Sequence, residues 1–441
     1  MQQNSGPTYK EAALFWLKLG FISFGGPAGQ IAIMHTFLVE KKKWISDSKF
    51  MHALNYCMLL PGPEAQQLAT YTGWLLHGRK GGLTAGLLFI LPAACLLLLL
   101  SYIYAIFGKI DWVYALFYGL RPAVVAIVCI ALIRIAKKAL HTFFQYVVAL
   151  SSFCALFFFQ VPFPIVILAA LVLGALLGLL NKAKDRRDSN HGSDESEYYI
   201  NSSTIIPQAV FKPVKLCIQI LTSIFLWCLP LLILYLCTAD MFFWQPFIFF
   251  FTKAALVTFG GAYAVLPYVA QIAVEQYHWL THTQMIDGLA LGETTPGPLV
   301  LVLSYVGFMA GFQFFDGTVS AGILGLSLST FYTFLPCFLF IFAGAPLIER
   351  THSNKTVRSI MQFVTPAVTG VVLNLTLYLA LPVLFGVQDV THLQLQAIHV
   401  DIPALVWLLI SLVFLIRFNR SMIAWICVSA LFGLATYLLQ A

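Results

Sequence analysis

The chain has 441 residues, of which 60% are hydrophobic and 10% charged, with a mean hydropathy of +0.86. A globular domain carries about a quarter charged residues, so this composition excludes an ordinary soluble enzyme and indicates an all-α polytopic membrane protein. The net charge of +7 reads as basic loops gathered on one membrane face, with no nucleic acid among the expected partners.

The polar start, Met1 to Lys10, lacks the basic-then-apolar pattern of a cleaved signal, so the first hydrophobic segment is expected to stay with the protein. Hydrophobic segments then run over Glu11–Leu38, Phe50–Leu76, Leu83–Phe107, Trp112–Ile135, Phe144–Phe159 and Phe163–Leu180. A polar connector follows from Asn181 to Lys212, whose mixed charge suggests a loop rather than a domain. After it come Val214–Cys237, Phe243–Val274, Met285–Gly311, Thr318–Pro346, Ile360–Leu384, Pro403–Arg417 and Met422–Leu439. This divides the chain into an N-terminal repeat (1–180), a linker with one connecting helix (181–242) and a C-terminal repeat (243–441). The nine cysteines form no CxxC or other metal spacing and read as small buried hydrophobes. The Phe-rich runs are expected to face lipid.

Two apolar segments are interrupted by Pro61-Gly62-Pro63 and Pro296-Gly297-Pro298. Each triplet removes two backbone donors and disfavours helix in the preceding residue. At membrane depth such freed backbone is tolerated only where protein buries it or a polar cavity meets it. The triplets belong to a longer internal repeat. Phe15–Pro63 aligns without a gap to Phe250–Pro298 at an offset of 235, with twelve of 49 positions identical against roughly three expected from ordinary composition. Leu91-Pro92 and Pro122-Ala123-Val124 have later counterparts in Leu335-Pro336 and Pro366-Ala367-Val368.

If the first two segments of each repeat are re-entrant hairpins, an odd number of crossings separates equivalent positions and the repeats are inverted. That arrangement puts all but Lys18, Lys109, Arg121 and Lys253 of the 25 Lys and Arg residues on the cytoplasmic side. Inverted repeats with helices broken near the midplane are the pattern of secondary transporters.

The expected substrate site follows from the breaks. Lys18 and Lys253 occupy equivalent positions in apolar segments and are candidate counter-charges for an anion; snorkelling to an interface is the plain alternative. Gly25, Gly26, Gly260 and Gly261 allow close backbone approach, and helix N-termini after the breaks bind oxyanions. Ser23, Thr258, Thr294 and Thr295 add hydroxyls, Gln66 and Gln67 add amides, and Pro61, Gly62, Pro63, Pro296, Gly297 and Pro298 form the walls. Together they suit a tetrahedral dianion. Glu64 and Glu293 are candidate proton carriers, although an acid after the break also suits the N-terminal end of the next helix. His35, His52 and His77 have no metal-ligand partner at helical spacing, so no metal is expected.

The order Phe24-Gly25-Gly26-Pro27, Trp44-Ile45 and Leu60-Pro61-Gly62-Pro63 resembles the chromate ion transporter family. Phe259-Gly260-Gly261-Ala262-Tyr263 and Glu293-Thr294-Thr295-Pro296-Gly297-Pro298 resemble the C-terminal repeat of its long, two-domain members. The resemblance implies a multi-pass protein of the bacterial inner membrane that exports chromate, with sulfate as its structural mimic. It implies no cofactor and no enzyme activity; a homodimer is a further expectation. The chain departs from many members at Gln30 and Thr36, where a histidine and an arginine are common. A sulfate or other anion uptake carrier or channel is the alternative. A membrane-embedded chromate reductase would need a flavin, haem or iron–sulfur motif, and none is seen.

Overall fold

The computed structural model describes residues 6–24, 26–180, 197–201, 204, 213–238, 240–348, 355–386, 400–418 and 422–440. The connector run from Lys184 to Asn190, Gly25 and Arg350 lie outside these residues. Among the described residues the architecture is all helix, apart from one isolated β-bridge between Ile45 and Ile200. Six of the described helices are long and apolar enough to cross a membrane, and five shorter apolar ones accompany them. This is the helical polytopic membrane protein that composition indicates.

The first repeat opens with α1 (Tyr9–Ile22) and α2 (Gly26–His35), which passes into a π-helical turn over Thr36–Lys41. Next come α3 (Asp47–Cys57), α4 (Glu64–Phe107), α5 (Asp111–Ala139), α6 (Phe143–Phe157) and α7 (Phe163–Leu180). The connecting helix is α8 (Pro213–Cys237). The second repeat opens with α9 (Met241–Val257) and α10 (Ala262–Ala270), again passing into a π-helical turn, Gln271–Gln276. It continues with α11 (His282–Thr294), α12 (Val302–Phe314, entered through a 3₁₀ turn at Leu299–Leu301), α13 (Val319–Ile348), α14 (Lys355–Phe385), α15 (Ile402–Phe418) and α16 (Met422–Gln440).

The offset of 235 recurs in backbone detail. The two π-helical turns coincide under it. Trp44 and Trp279 each donate their N–H to an equivalent carbonyl, Leu38 and Ala273, at 2.8 Å. Lys43 and His278 hold positive φ values of 51° and 52°. Ser46 and Thr281 cap α3 and α11 by accepting from the third residue on, one of the donors a helix start leaves unmet. In each repeat the tryptophan meets the equivalent phenylalanine edge-on, Phe15–Trp44 at 6.2 Å and Phe250–Trp279 at 5.4 Å. Two sequences with mostly different side chains therefore build one backbone.

Three sequence expectations are corrected. Of the nine cysteines, expected to be buried, only Cys57 and Cys337 are, and Cys95, Cys217, Cys228, Cys237 and Cys427 lie on the exposed helix faces. The loop expected between Leu76 and Leu83 is a kink confined to His77 and Gly78, so α4 runs on through Arg79 and Lys80. The Phe-rich run at Phe242–Phe251 does not simply face lipid: Phe243, Phe247, Phe250 and Phe251 are buried around Trp279. Phe143, Phe144, Phe158 and Phe159 are exposed as expected.

The halves interlock. Helices α6 and α7 pack on α14 of the second repeat, whereas α15 and α16 pack on α5 of the first, and α4 lies against both α12 and α13. Burying one repeat's apolar helices on the other is the favourable term that holds the two breaks face to face.

Candidate functional site

The first repeat breaks at Ser23–Phe24, before α2, and at Leu59–Pro63, before α4. The second breaks at Thr258–Gly261, before α10, and at Thr295–Pro298, before the 3₁₀ turn and α12. These segments pair across the repeats. The N–H of Gly62 donates to the carbonyl of Thr258 at 2.6 Å, and the N–H of Gly297 donates to the carbonyl of Ser23 at 2.8 Å. Ser23 is equivalent to Thr258, and Gly62 to Gly297. The two bonds therefore exchange equivalent partners, as a self-complementary two-fold contact requires. Both satisfy backbone that the prolines freed.

Glycine is demanded at both triplets. Gly62 and Gly297 have φ of +122° and +96°, values that an L side chain rarely adopts. A Cβ on Gly62 would lie 2.6 Å from Cys337 Sγ, and one on Gly297 would lie 2.6 Å from Ala93 Cβ. Cys337 follows Pro336 as Ala93 follows Pro92, so even these neighbours are repeat equivalents. Gly26 and Gly261 differ from them. A Cβ at either would meet nothing within 4 Å, at φ of +75° and +99°. Open space thus lies beside the N-terminal ends of α2 and α10, where unpaired N–H groups and the helix dipole favour an anion.

Side chains around the paired breaks are buried and polar: Ser23, Gln30, Gln66, Gln67, Thr258 and Thr295. Gln30 reaches across the repeats to donate from Nε2 to the carbonyl of Gly297 at 2.5 Å, and Gln67 donates to the carbonyl of Pro61 at 2.7 Å. Gln66 meets the hydroxyl of Thr70 at 3.0 Å. Ser23 Oγ, Thr333 Oγ1 and the amide oxygens of Gln30, Gln66 and Gln67 have no protein partner. Leaving such groups buried and unmet costs about 1–3 kcal/mol each, so each calls for a partner that the fold itself does not supply. Gln66 can turn its amide over without loss, since the Thr70 hydroxyl can also donate, which frees an NH₂ for an anion.

The threonines contribute less than expected. Thr258, Thr294 and Thr295 donate their hydroxyl protons to carbonyls within their own helices, at 2.6, 2.7 and 2.9 Å. Lys18 and Lys253 stand exposed rather than at the paired breaks. Lys18 shares a groove with Thr36 and Lys41, and Lys253 lies 5.8 Å from the ring centre of Tyr268. Glu64 is the first residue of α4, within electrostatic reach of Lys138. Glu293 is buried and accepts a 2.6 Å hydrogen bond from Tyr263. The structure thus brings Ser23, Gly26, the two triplets, the glutamines and the Thr258–Gly261 turn together, and leaves the two lysines apart. Gly25, outside the described residues, adjoins Gly26 in sequence.

Sequence reasoning passed over Tyr263, Gln30 as a cross-repeat donor, and the buried pair Arg121–Asp287. The last had a usable signal, because an ionisable residue inside an apolar segment is itself a site indicator. Among the described residues no group of three or more His, Cys, Asp or Glu side chains is placed to hold a metal.

A protein-family model described as "Chromate transporter" matches residues 10–175 and 244–434. A chromate transport protein of Cupriavidus metallidurans is 26% identical over 441 residues, covering 98% of this chain and 95% of that protein. One from Pseudomonas aeruginosa is 31% identical over 381 residues, covering 85% and 81%. A probable chromate transport protein of Synechococcus elongatus is 26% identical, covering 83% and 84%. No solved structure matches.

Proposed function

Since the chain belongs to the chromate transporter family, we propose that it is a secondary transporter of a tetrahedral oxyanion, exporting chromate across the bacterial inner membrane. The observation that carries this reading is the reciprocal pair of backbone bonds, Gly62 to Thr258 and Gly297 to Ser23. They hold two broken helices together beside the open space at Gly26 and Gly261. Substrate selection falls to backbone N–H groups, the Ser23 hydroxyl and the amide of Gln66. At the paired breaks these neutral donors suit a dianion that must leave again, because a buried cation with no carboxylate to compete for it would hold the anion tightly.

The repeats are read as inverted, with the paired breaks as the common midplane site about which access alternates. Glu293, held by Tyr263, and Glu64, at the head of α4, are the carboxyls proposed to exchange protons with the outward and inward media. Neither has an acidic repeat equivalent, since Met58 and Leu299 occupy those positions, so the coupling is asymmetric. Lys18 and Lys253 act as attractors at the protein surface rather than as ligands.

The test is chromate release from preloaded cells with and without the protein, followed by sulfate and chromate flux in proteoliposomes under proton gradients of either sign. Faster release, with flux that responds to the proton gradient, is the expected result. Equal release in both cell types removes the export reading. Flux that follows only the anion's own gradient identifies a channel instead.

A further inference from the structure

Outside the paired breaks, one charge cluster is buried deeply enough to need an explanation. Arg121 of α5 is 8% exposed and Asp287 of α11 is 1% exposed. The guanidinium donates from Nε to Oδ1 at 2.8 Å and from a terminal nitrogen to Oδ2 at 3.1 Å. The hydroxyl of Tyr104, near the end of α4, donates to the same Oδ2 at 2.8 Å. Tyr305 of α12 packs on Tyr104 with ring centres 5.7 Å apart. It fits because residue 288 is glycine: a Cβ there would lie 2.3 Å from the Tyr305 ring. The ring of Tyr114 covers the guanidinium at 4.6 Å.

Three features distinguish this cluster from a structural brace. First, the scaffold's repeat does not require it, because the equivalents of Arg121 and Asp287 are Thr365 and His52. A buried ion pair is expensive to desolvate and is often replaceable by apolar residues without loss. Second, Arg121 has five N–H donors, of which two go to Asp287 and one has the Tyr114 hydroxyl in reach, leaving N–H groups for a second oxyanion. Third, its partners sit on helices that adjoin the breaks. Asp287 is on the helix before the second break and Tyr305 on the helix after it, while α4 starts at the first break. Asp287 precedes Glu293 by six residues, about 9 Å along α11.

We propose that Arg121 is a second anion station on the transport route, held closed by Asp287, whose carboxylate a tetrahedral dianion displaces. The displaced Asp287 releases α11, so occupation of the station loosens the second break. The inference rests on the oxyanion-transport reading for its ligand class. A carboxylate and a tetrahedral oxyanion present the same pair of acceptor oxygens to a guanidinium fork, which is why one can stand in for the other.

The test uses the full-length protein. Phenylglyoxal, which modifies guanidinium groups, is applied with and without sulfate, and the peptides carrying Arg121 and Arg134 are quantified by mass spectrometry. Sulfate is expected to slow modification of Arg121 several-fold and to leave Arg134 unaffected. In proteoliposomes, Asp287→Asn is expected to lower the sulfate KM several-fold while also lowering the maximal rate. Tyr104→Phe, which keeps the ion pair and serves if the first variant does not accumulate, shifts KM in the same direction by less. Arg121 modified equally with and without sulfate, in a protein that still carries sulfate, overturns the station and leaves the transport reading intact; where burial keeps Arg121 unmodified in both, the KM of the two variants decides. Protection without any flux supports the station and removes the transport reading; neither protection nor flux removes both. A KM unchanged in both variants overturns the exchange with Asp287.

Discussion

The breaks of the two repeats share a backbone and differ in chemistry. The first repeat carries glutamines, Gln30, Gln66 and Gln67, where the second has Val265, Leu301 and Val302. The second carries Tyr263 and Glu293, where the first has Ala28 and Met58. Yet the turns, π-helical segments, caps and cross-repeat bonds coincide. The lesson is that the framework is built from backbone bonding and glycine, which both repeats retain, while side chains were free to specialise. One break became an amide-lined wall and the other a carboxyl held by a phenol.

That contrast can be broken most forcefully at the shared glycines. Gly62→Ala and Gly297→Ala each force a side chain into positive φ at about 1–3 kcal/mol, with an added clash against Cys337 or Ala93. Both variants are expected to lose transport and to lower the melting temperature by similar amounts. A harmless change at one site alone would show that the reciprocity is not functional. The carboxyls come next. Glu293→Gln is expected to remove the response to a proton gradient and to slow flux about tenfold, a change worth roughly 1.4 kcal/mol. Glu64→Gln, measured in the same proteoliposomes, ranks second. If the order reverses, the second break is not the proton-coupled one.

Gln30→Val copies the second repeat's residue into the first. It strips the Gly297 carbonyl of its side-chain donor, at an expected cost of about 1–3 kcal/mol in thermal unfolding, and weakens anion affinity. Lowered stability with unchanged affinity would mean that Gln30 only braces the turn. The smallest effects belong to the exposed lysines. Lys18→Gln and Lys253→Gln should change stability by less than about 0.5 kcal/mol and alter flux modestly, the difference vanishing at high salt. A complete loss of transport in either would restore the lysine as a direct ligand.

Much of the framework was legible before any coordinates. Pro-Gly-Pro in an apolar run has few physical outcomes, and its recurrence with Phe-Gly-Gly at one offset located both breaks. Helix existence followed from apolar length in the same way. The kink at His77–Gly78 was harder, because a polar run of similar composition serves equally as a loop or as a bent helix. The buried phenylalanines around Trp279 were misread because hydrophobicity alone does not separate lipid-facing from protein-facing positions; in a bilayer both are apolar.

The chain by itself determined that this is a helical membrane protein of two related halves, each broken twice, because proline, glycine and apolar length act locally. Only the tertiary structure decided what the breaks meet. Gly62 finds Thr258, Gly297 finds Ser23, and Gln30 crosses to the opposite repeat, through contacts between residues far apart in the chain. It also decided that Lys18 and Lys253 stand outside this meeting point while Arg121 and Asp287 are buried together. Periodicity places a residue within its helix, but which face is covered depends on packing against helices far away in sequence.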